Sequence, residues 1–174
     1  CKNLKELQLP SEITTLPDYA FSGAGLTKIN LNNVTTLGKS TFEKCADLTE
    51  VIGDSNLKSI GNYCFQKSGL TKFSALSLTA IPQNAFDGCA SLTEVTDTAN
   101  IASVGTAAFR NSGVVNINLP QVTELGASAF EGCASLKSVN IAKPTANTLV
   151  FGNTVFKNST IENFNSDEAG KKII

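Results

Sequence analysis

The sequence predicts a stacked solenoid, in which one short unit is copied along the chain and each copy consists of an extended segment followed by a return. Three observations predict it. Phenylalanine recurs at positions 21, 42, 65, 86, 109 and 130, with gaps of 21, 23, 21, 23 and 21 residues, and a drifted copy, Phe156, follows 26 residues later. A fixed period of about 20–29 residues marks a unit that cannot bury its apolar side alone and must stack on its neighbours. The apolar positions around each Phe repeat with the same period. No linker or low-complexity tract interrupts the 174 residues, so the chain reads as one domain.

The first element of each copy is an extended segment, apolar at its first, fourth and often sixth position. It begins as Leu4-Lys-Glu-Leu7-Gln-Leu9 and Leu26-Thr-Lys-Ile29-Asn-Leu31, and recurs at Leu48, Leu70, Leu92, Val114, Leu136 and Ile161. Alternation at its end suits a short strand with one buried face. The second element carries the chain back: Ile13-Thr-Thr-Leu16-Pro17, Val34-Thr-Thr-Leu37-Gly38, Leu57-Lys-Ser-Ile60-Gly61 and so on, each followed by its Phe. Gly or Pro after the second apolar residue fits a tight bend, Gly by tolerating unusual φ and Pro by fixing it. A small residue before most of the Phe lets the rings stack closely into a continuous spine.

Copies alternate in length. Phe42, Phe86 and Phe130 open the longer form Phe-x-x-Cys-Ala-x-Leu, and Phe21 and Phe65 open one two residues shorter, so the combined unit is 44 residues. Cys1, Cys45, Cys89 and Cys133 follow the same 44-residue spacing. Alternate rungs of a stacked sheet lie about 9.6 Å apart, beyond the ~7 Å that a disulfide allows, so these cysteines are expected to be small buried apolar residues, not bridges. Cys64 sits elsewhere in the repeat. Cys1-Lys-Asn-Leu4 matches Cys45-Ala-Asp-Leu48, which favours a start in mid-repeat over a lipid-bearing terminal Cys, and with no Met the chain reads as a processed or excised piece.

Composition narrows function. Net charge is −1 from 14 basic and 15 acidic residues, without long runs of either sign, so the footprint of a nucleic-acid binder is missing. No stretch approaches the ~20 apolar residues that cross a bilayer. With no His, no close Cys pair and no Gly-rich phosphate loop, the sequence offers no His for general-base work, no metal site and no cofactor motif; its ladder Glu residues alternate with Lys, and it reads as a non-enzyme with no cofactor.

The pattern Leu-x-x-Ile-x-Leu-Pro-x-x-Val-Thr-x-Ile-Gly-x-x-Ala-Phe-x-x-Cys-x-x-Leu resembles the BspA-like (Treponema pallidum-type) leucine-rich repeat. Residues 119–139, Leu-Pro-Gln-Val-Thr-Glu-Leu-Gly-Ala-Ser-Ala-Phe-Glu-Gly-Cys-Ala-Ser-Leu-Lys-Ser-Val, follow it nearly throughout. The resemblance covers residues 1–165 as a leucine-rich repeat domain of seven to eight repeats, leaving 166–174 as a divergent tail or partial cap. Lys143–Thr148 adds residues to the seventh return and leaves its register open. What the resemblance implies is a right-handed leucine-rich repeat solenoid, with short parallel strands on the concave face and mostly irregular returns. It also implies a secreted or surface-exposed bacterial protein, some relatives of which bind host matrix proteins such as fibronectin and fibrinogen.

Strand positions three and five point out of the concave sheet. Position three reads Glu6, Lys28, Glu50, Lys72, Glu94, then Asn116, Ser138 and Asn163; position five includes Asn30, Asn118 and Asn140. Opposite charges on successive rungs are expected to pair along the sheet. The mixed-charge and Asn-rich face is the candidate binding surface for a protein, including host extracellular matrix, or for a glycan. Tyr19 and Tyr63, on the returns, are expected to be packing residues. The functional expectation is a surface or secreted adhesion module. A structural spacer or scaffold that associates with itself end to end, through exposed strand edges, is the alternative.

Overall fold

The structure is a computed structural model and describes residues 1–141 and 149–166. Fourteen short strands among those residues form two parallel ladders, one from each element of the repeat. The return ladder contains β1 (Thr15–Leu16), β3 (Thr36–Leu37), β5 (Ser59–Ile60), β7 (Ala80–Ile81), β9 (Ser103–Val104), β11 (Glu124–Leu125) and β13 (Val150–Phe151). The front ladder contains β2 (Lys28–Asn30), β4 (Glu50–Ile52), β6 (Lys72–Ser74), β8 (Glu94–Thr96), β10 (Asn116–Asn118), β12 (Ser138–Ile141) and β14 (Asn163–Ser166). The returns are therefore more regular than the sequence predicts, since each carries its own two-residue strand. Among the described residues there is almost no helix, only two three-residue 3-10 turns at Asp54–Asn56 and Thr98–Asn100.

Strands this short have no stability alone and depend on stacking. In β2, β4 and β8 the central residue (Ile29, Val51, Val95) is buried while both neighbours are exposed. Inward residues from both ladders meet the Phe column, in which successive rings from Phe21 to Phe156 stack with centroids 5.3–5.6 Å apart and planes within 14°. Every ring from Phe42 to Phe130 in this column is fully buried.

A third set of inter-turn bonds runs beside the Phe. The backbone N–H groups of Tyr63, Phe65 and Lys67 donate to Gln83, Ala85 and Asp87 carbonyls of the next turn at 3.0, 2.9 and 2.8 Å, and the intervening N–H groups of Cys64, Gln66 and Ser68 close bonds within their own turn. The same triplet recurs at every step, for example Phe109 to Ala129 and Phe130 to Val155. Sending alternate N–H groups across the stack requires a left-handed residue two before and two after each Phe. Tyr19, Ser40, Tyr63, Asn84, Ala107, Ser128 and Thr154 hold the first position with φ between 52° and 61°.

Here the expectation for glycine is corrected. Gly61 and Gly126, which follow the second apolar residue, do not have left-handed φ; they are there because a Cβ would lie 2.5 Å from backbone atoms of the preceding turn. The alternation in repeat length has a similar cause. In a short copy, the Gly69 N–H donates to the Cys45 carbonyl at 3.2 Å, and a Cβ at residue 69 would lie 2.2 Å from the Ala46 carbonyl oxygen. The short connection closes down onto the longer one beneath it. All five thiols are free. Those of Cys45, Cys89 and Cys133 are buried as expected, whereas Cys1, with no turn before it to cover it, is exposed; each buried thiol of the three also donates to the Phe carbonyl of the preceding turn (Phe21, Phe65 and Phe109) at 3.0, 2.9 and 3.0 Å.

Both ladders are interrupted at one shared step. The front ladder divides into β2-β4 and β6 to β14, and the return ladder into β1-β3-β5 and β7 to β13. Pro82 stands where Gly38, Gly105 and Gly126 each donate an N–H to the preceding turn, and proline has none. On the front, the Ser74 N–H donates at 2.7 Å to the Asp54 carboxylate instead of to a ladder carbonyl. The Phe column crosses this step unbroken, and Phe73 fills the gap, tilted against Phe65 and Phe86. Beyond it, β11 pairs with β13 (Glu124 with Val150), which fixes the register of the seventh return; the added residues themselves, and the tail beyond Ser166, lie outside the described residues.

Candidate functional site

The predicted face is built as the strand pattern requires. Side chains on either side of a buried strand centre must point to the opposite face, and Glu6, Lys28, Asn30, Glu50, Lys72, Glu94, Asn116, Asn118, Asn140 and Asn163 are all exposed. Register aligns them: Lys28 lies beside Glu50, Lys72 beside Glu94, Glu94 beside Asn116, and Asn118 beside Asn140. Gln8 bridges to Asn30 at the N-terminal side.

The expected charge ladder does not close, however. Among the described residues only Lys28 and Glu6 form an ion pair in this column, at 3.7 Å, with 54% and 72% of their side-chain surface exposed. Lys28–Glu50, Glu50–Lys72 and Lys72–Glu94 form none. In water, the Coulomb gain for such pairs barely offsets the side-chain entropy lost in holding two long chains still. The Asn half is better tied. Asn140 donates from Nδ2 to Asn118 Oδ1 at 2.8 Å, and the Ser138 hydroxyl donates to Asn116 Oδ1 at 2.7 Å. Exposed threonines flank the face, with the hydroxyls of Thr49, Thr71 and Thr93 each donating at 3.3 Å to the carbonyl of Thr27, Thr49 and Thr71 in turn.

A second polar column, which sequence reasoning missed, lies one residue after each Phe. Asp87 is almost fully enclosed and accepts two bonds from Arg110, Nε to Oδ1 at 3.0 Å and Nη2 to Oδ2 at 2.9 Å, with further donation from Gln66 at 2.8 Å and Asn84 at 3.2 Å. Burial works against ionising Asp87, but these donors, led by Arg110, prevail and hold its carboxyl below the ordinary range. The column continues to Glu131 and Lys157, 4.0 Å apart. Its signal was the run Gln66, Asp87, Arg110, Glu131, Lys157 at the Phe period.

Tyr19 also differs from expectation: it is 52% exposed, and the Lys39 ammonium lies 5.7 Å from its ring centroid and 5.8 Å from that of Tyr63. The buried thiols offer no nucleophile, because burial pushes Cys89 up to about 11 and Cys64 higher still. Among the described residues no three His, Cys, Asp or Glu converge on a metal-sized site, and no helix is long and apolar enough to cross a membrane.

A family model for the BspA-type leucine-rich repeat region, in six copies, matches residues 1–79 and 58–173. The chain belongs to the BspA-type leucine-rich repeat family. Its fold is similar to that of a leucine-rich cell surface protein from Faecalibacterium prausnitzii, with 21% identity and a TM-score of 0.59 over 78% of this chain and 47% of that one. A leucine-rich repeat protein of T. pallidum is 25% identical over 80% of this chain and 58% of its own, with a TM-score of 0.48. The BspA-type chain thus spans about half to three-fifths of these relatives. No curated protein is similar enough to count as a relative. The leucine-rich repeat is generally a protein-interaction fold without enzymatic activity.

Proposed function

We propose that this BspA-type domain is a non-enzymatic interaction module of a bacterial surface or secreted protein, and that it adheres to host or other extracellular macromolecules through the front ladder. The observation that carries the reading is the exposure of that face: ten polar and charged side chains, all exposed and in register within each segment of the front ladder, with few contacts to each other in the charged half. Side chains that do not satisfy one another are available to a partner. The cell-surface description of the F. prausnitzii protein, which shares the fold, supports the location. The face has no Arg or aromatic anchor, the residues that dominate tight interfaces, so weak contacts multiplied along the solenoid fit it better than one high-affinity lock.

Immobilised chain should capture fibronectin, fibrinogen or a member of a glycan panel saturably, more strongly at low than at physiological salt. The double reversal Lys28→Glu and Lys72→Glu should lose that capture while melting normally. Capture unchanged in a folded double variant would rule out this face. Silence across the panel, combined with a mass that grows with concentration, would favour the self-associating scaffold.

A further inference from the structure

We infer that the Phe-turn edge carries a second recognition surface, centred on Tyr19, Lys39 and Tyr63, for an acidic saccharide: a sugar chain bearing uronic carboxylates or sulfate esters. Tyr19 and Tyr63 occupy the same position of their repeats, two before the Phe, in turns separated by one other. That places them about two rungs, or ~9.6 Å, apart along the solenoid. Their backbones are left-handed, with φ of 59° and 61°. A bulky residue is an outlier there, and strain of this kind collects at functional sites. The other five copies fill the position with Ser, Asn, Ala, Ser and Thr, small or amide side chains. Folding alone therefore does not require tyrosine, and the ring of Tyr19 gains little from burial, being half exposed.

The turn between them places a buried Ser40 at that position, and the gap above is occupied by the ammonium of Lys39, nearly equidistant from both rings. Among the described residues no carboxylate lies within ion-pair distance of that ammonium. Of the neighbouring acids, Asp18 spends an oxygen on the Lys39 backbone N–H at 2.7 Å, and Glu43 is paired with Lys44 at 2.9 Å. A cation held between two aromatic rings with no carboxylate in direct contact is complementary to an anion. The surroundings favour a sugar over an acidic peptide: the rings offer apolar surface for pyranose C–H groups, and the exposed amides of Asn62 and Gln83 suit hydroxyls. Gln83 already donates to the Tyr63 hydroxyl at 3.2 Å, which fixes one ring in place. None of these residues belongs to the front ladder, so the two surfaces fail or succeed separately.

The test is titration of the folded chain with three oligosaccharides of equal length, one neutral, one carrying uronate and one carrying sulfate, and with an acidic peptide of the same charge. Variants are Tyr19→Asn, which keeps a residue suited to left-handed φ, Lys39→Gln, and Lys39→Arg as a rescue. Binding of at least one acidic sugar, about tenfold weaker in Tyr19→Asn and in Lys39→Gln and restored in Lys39→Arg, is the expected result. The uronate and sulfate arms identify which acid is read. Equal binding of the neutral sugar, equal or better binding of the peptide, binding by neither acidic sugar, or acidic-sugar binding that survives in folded Tyr19→Asn would each overturn the proposal. Lys28→Glu with Lys72→Glu should leave this binding in place.

Discussion

Two columns of alternating charge run along this solenoid, and they behave differently. On the front ladder, Glu6, Lys28, Glu50, Lys72 and Glu94 alternate in charge, with Lys28 beside Glu50 and Lys72 beside Glu94, yet one pair closes, Lys28 with Glu6, at 3.7 Å between exposed groups. One residue beyond the Phe, Asp87 is enclosed and bound by Arg110 in a two-pronged pair, with Gln66 and Asn84 completing its shell. Both columns follow the same repeat. Burial separates them: where solvent is excluded a charge must be paired and hydrogen-bonded, and where it is not, pairing gains almost nothing. The first column stays open to solvent, and the second binds turns to one another.

The largest effect should come from the shared interior on which both columns stand. Phe86→Ala removes a fully buried ring stacked on Phe65 and Phe109 and should cost about 3–5 kcal/mol, read as a lowered denaturant midpoint. A cost under about 1 kcal/mol would mean that the spine is not continuous. Gly126→Ala should follow, at about 1–3 kcal/mol, because its Cβ would press on the Thr106 nitrogen at 2.5 Å and on the Gly105 carbonyl carbon at 2.6 Å. Unchanged stability in Gly126→Ala would show that the turns can separate freely.

Asp87→Asn sharpens the comparison through pH. The folded carboxyl titrates below its ordinary value, so the unfolded chain takes up its proton first as pH falls. Its stabilisation is therefore complete at neutral pH and is lost as pH drops from the unfolded value of about 3.9 toward the folded one. Thermal midpoints measured from about pH 5 to about pH 2 should fall less steeply in Asp87→Asn than in the parent, and parallel curves would remove Asp87 from the account. The smallest effect belongs to the front: Lys28→Glu alone should change stability by no more than about 0.5–1 kcal/mol. A larger loss would show that the front column holds the fold and is not free for ligands.

The repeat made the architecture legible. The Phe period located the spine, and the strand cassette placed all ten candidate residues on one exposed face. What could not be read was anything set by the distance between turns. Glycine after Leu37 or Leu125 looked like a φ requirement because sequence shows only its own chain, whereas its reason is the backbone of the turn beside it. The cysteine thiols were legible as buried but not as donors to Phe carbonyls, for the same reason. The interrupted ladder step had a visible cause in Pro82, whose missing N–H counts only once Gly105 and Gly126 are seen donating at that position. Glu/Lys alternation at the front and Asp/Arg/Glu alternation behind the Phe are indistinguishable as patterns; only burial tells them apart.

Double-mutant cycles on the two columns test that distinction most directly, using Lys28→Ala with Glu50→Ala on the front and Asp87→Ala with Arg110→Ala behind the Phe. The account predicts a coupling near zero, below about 0.5 kcal/mol, for the front pair and about 1.5 kcal/mol or more for the enclosed pair. Equal couplings, or a larger one at the front, would contradict it.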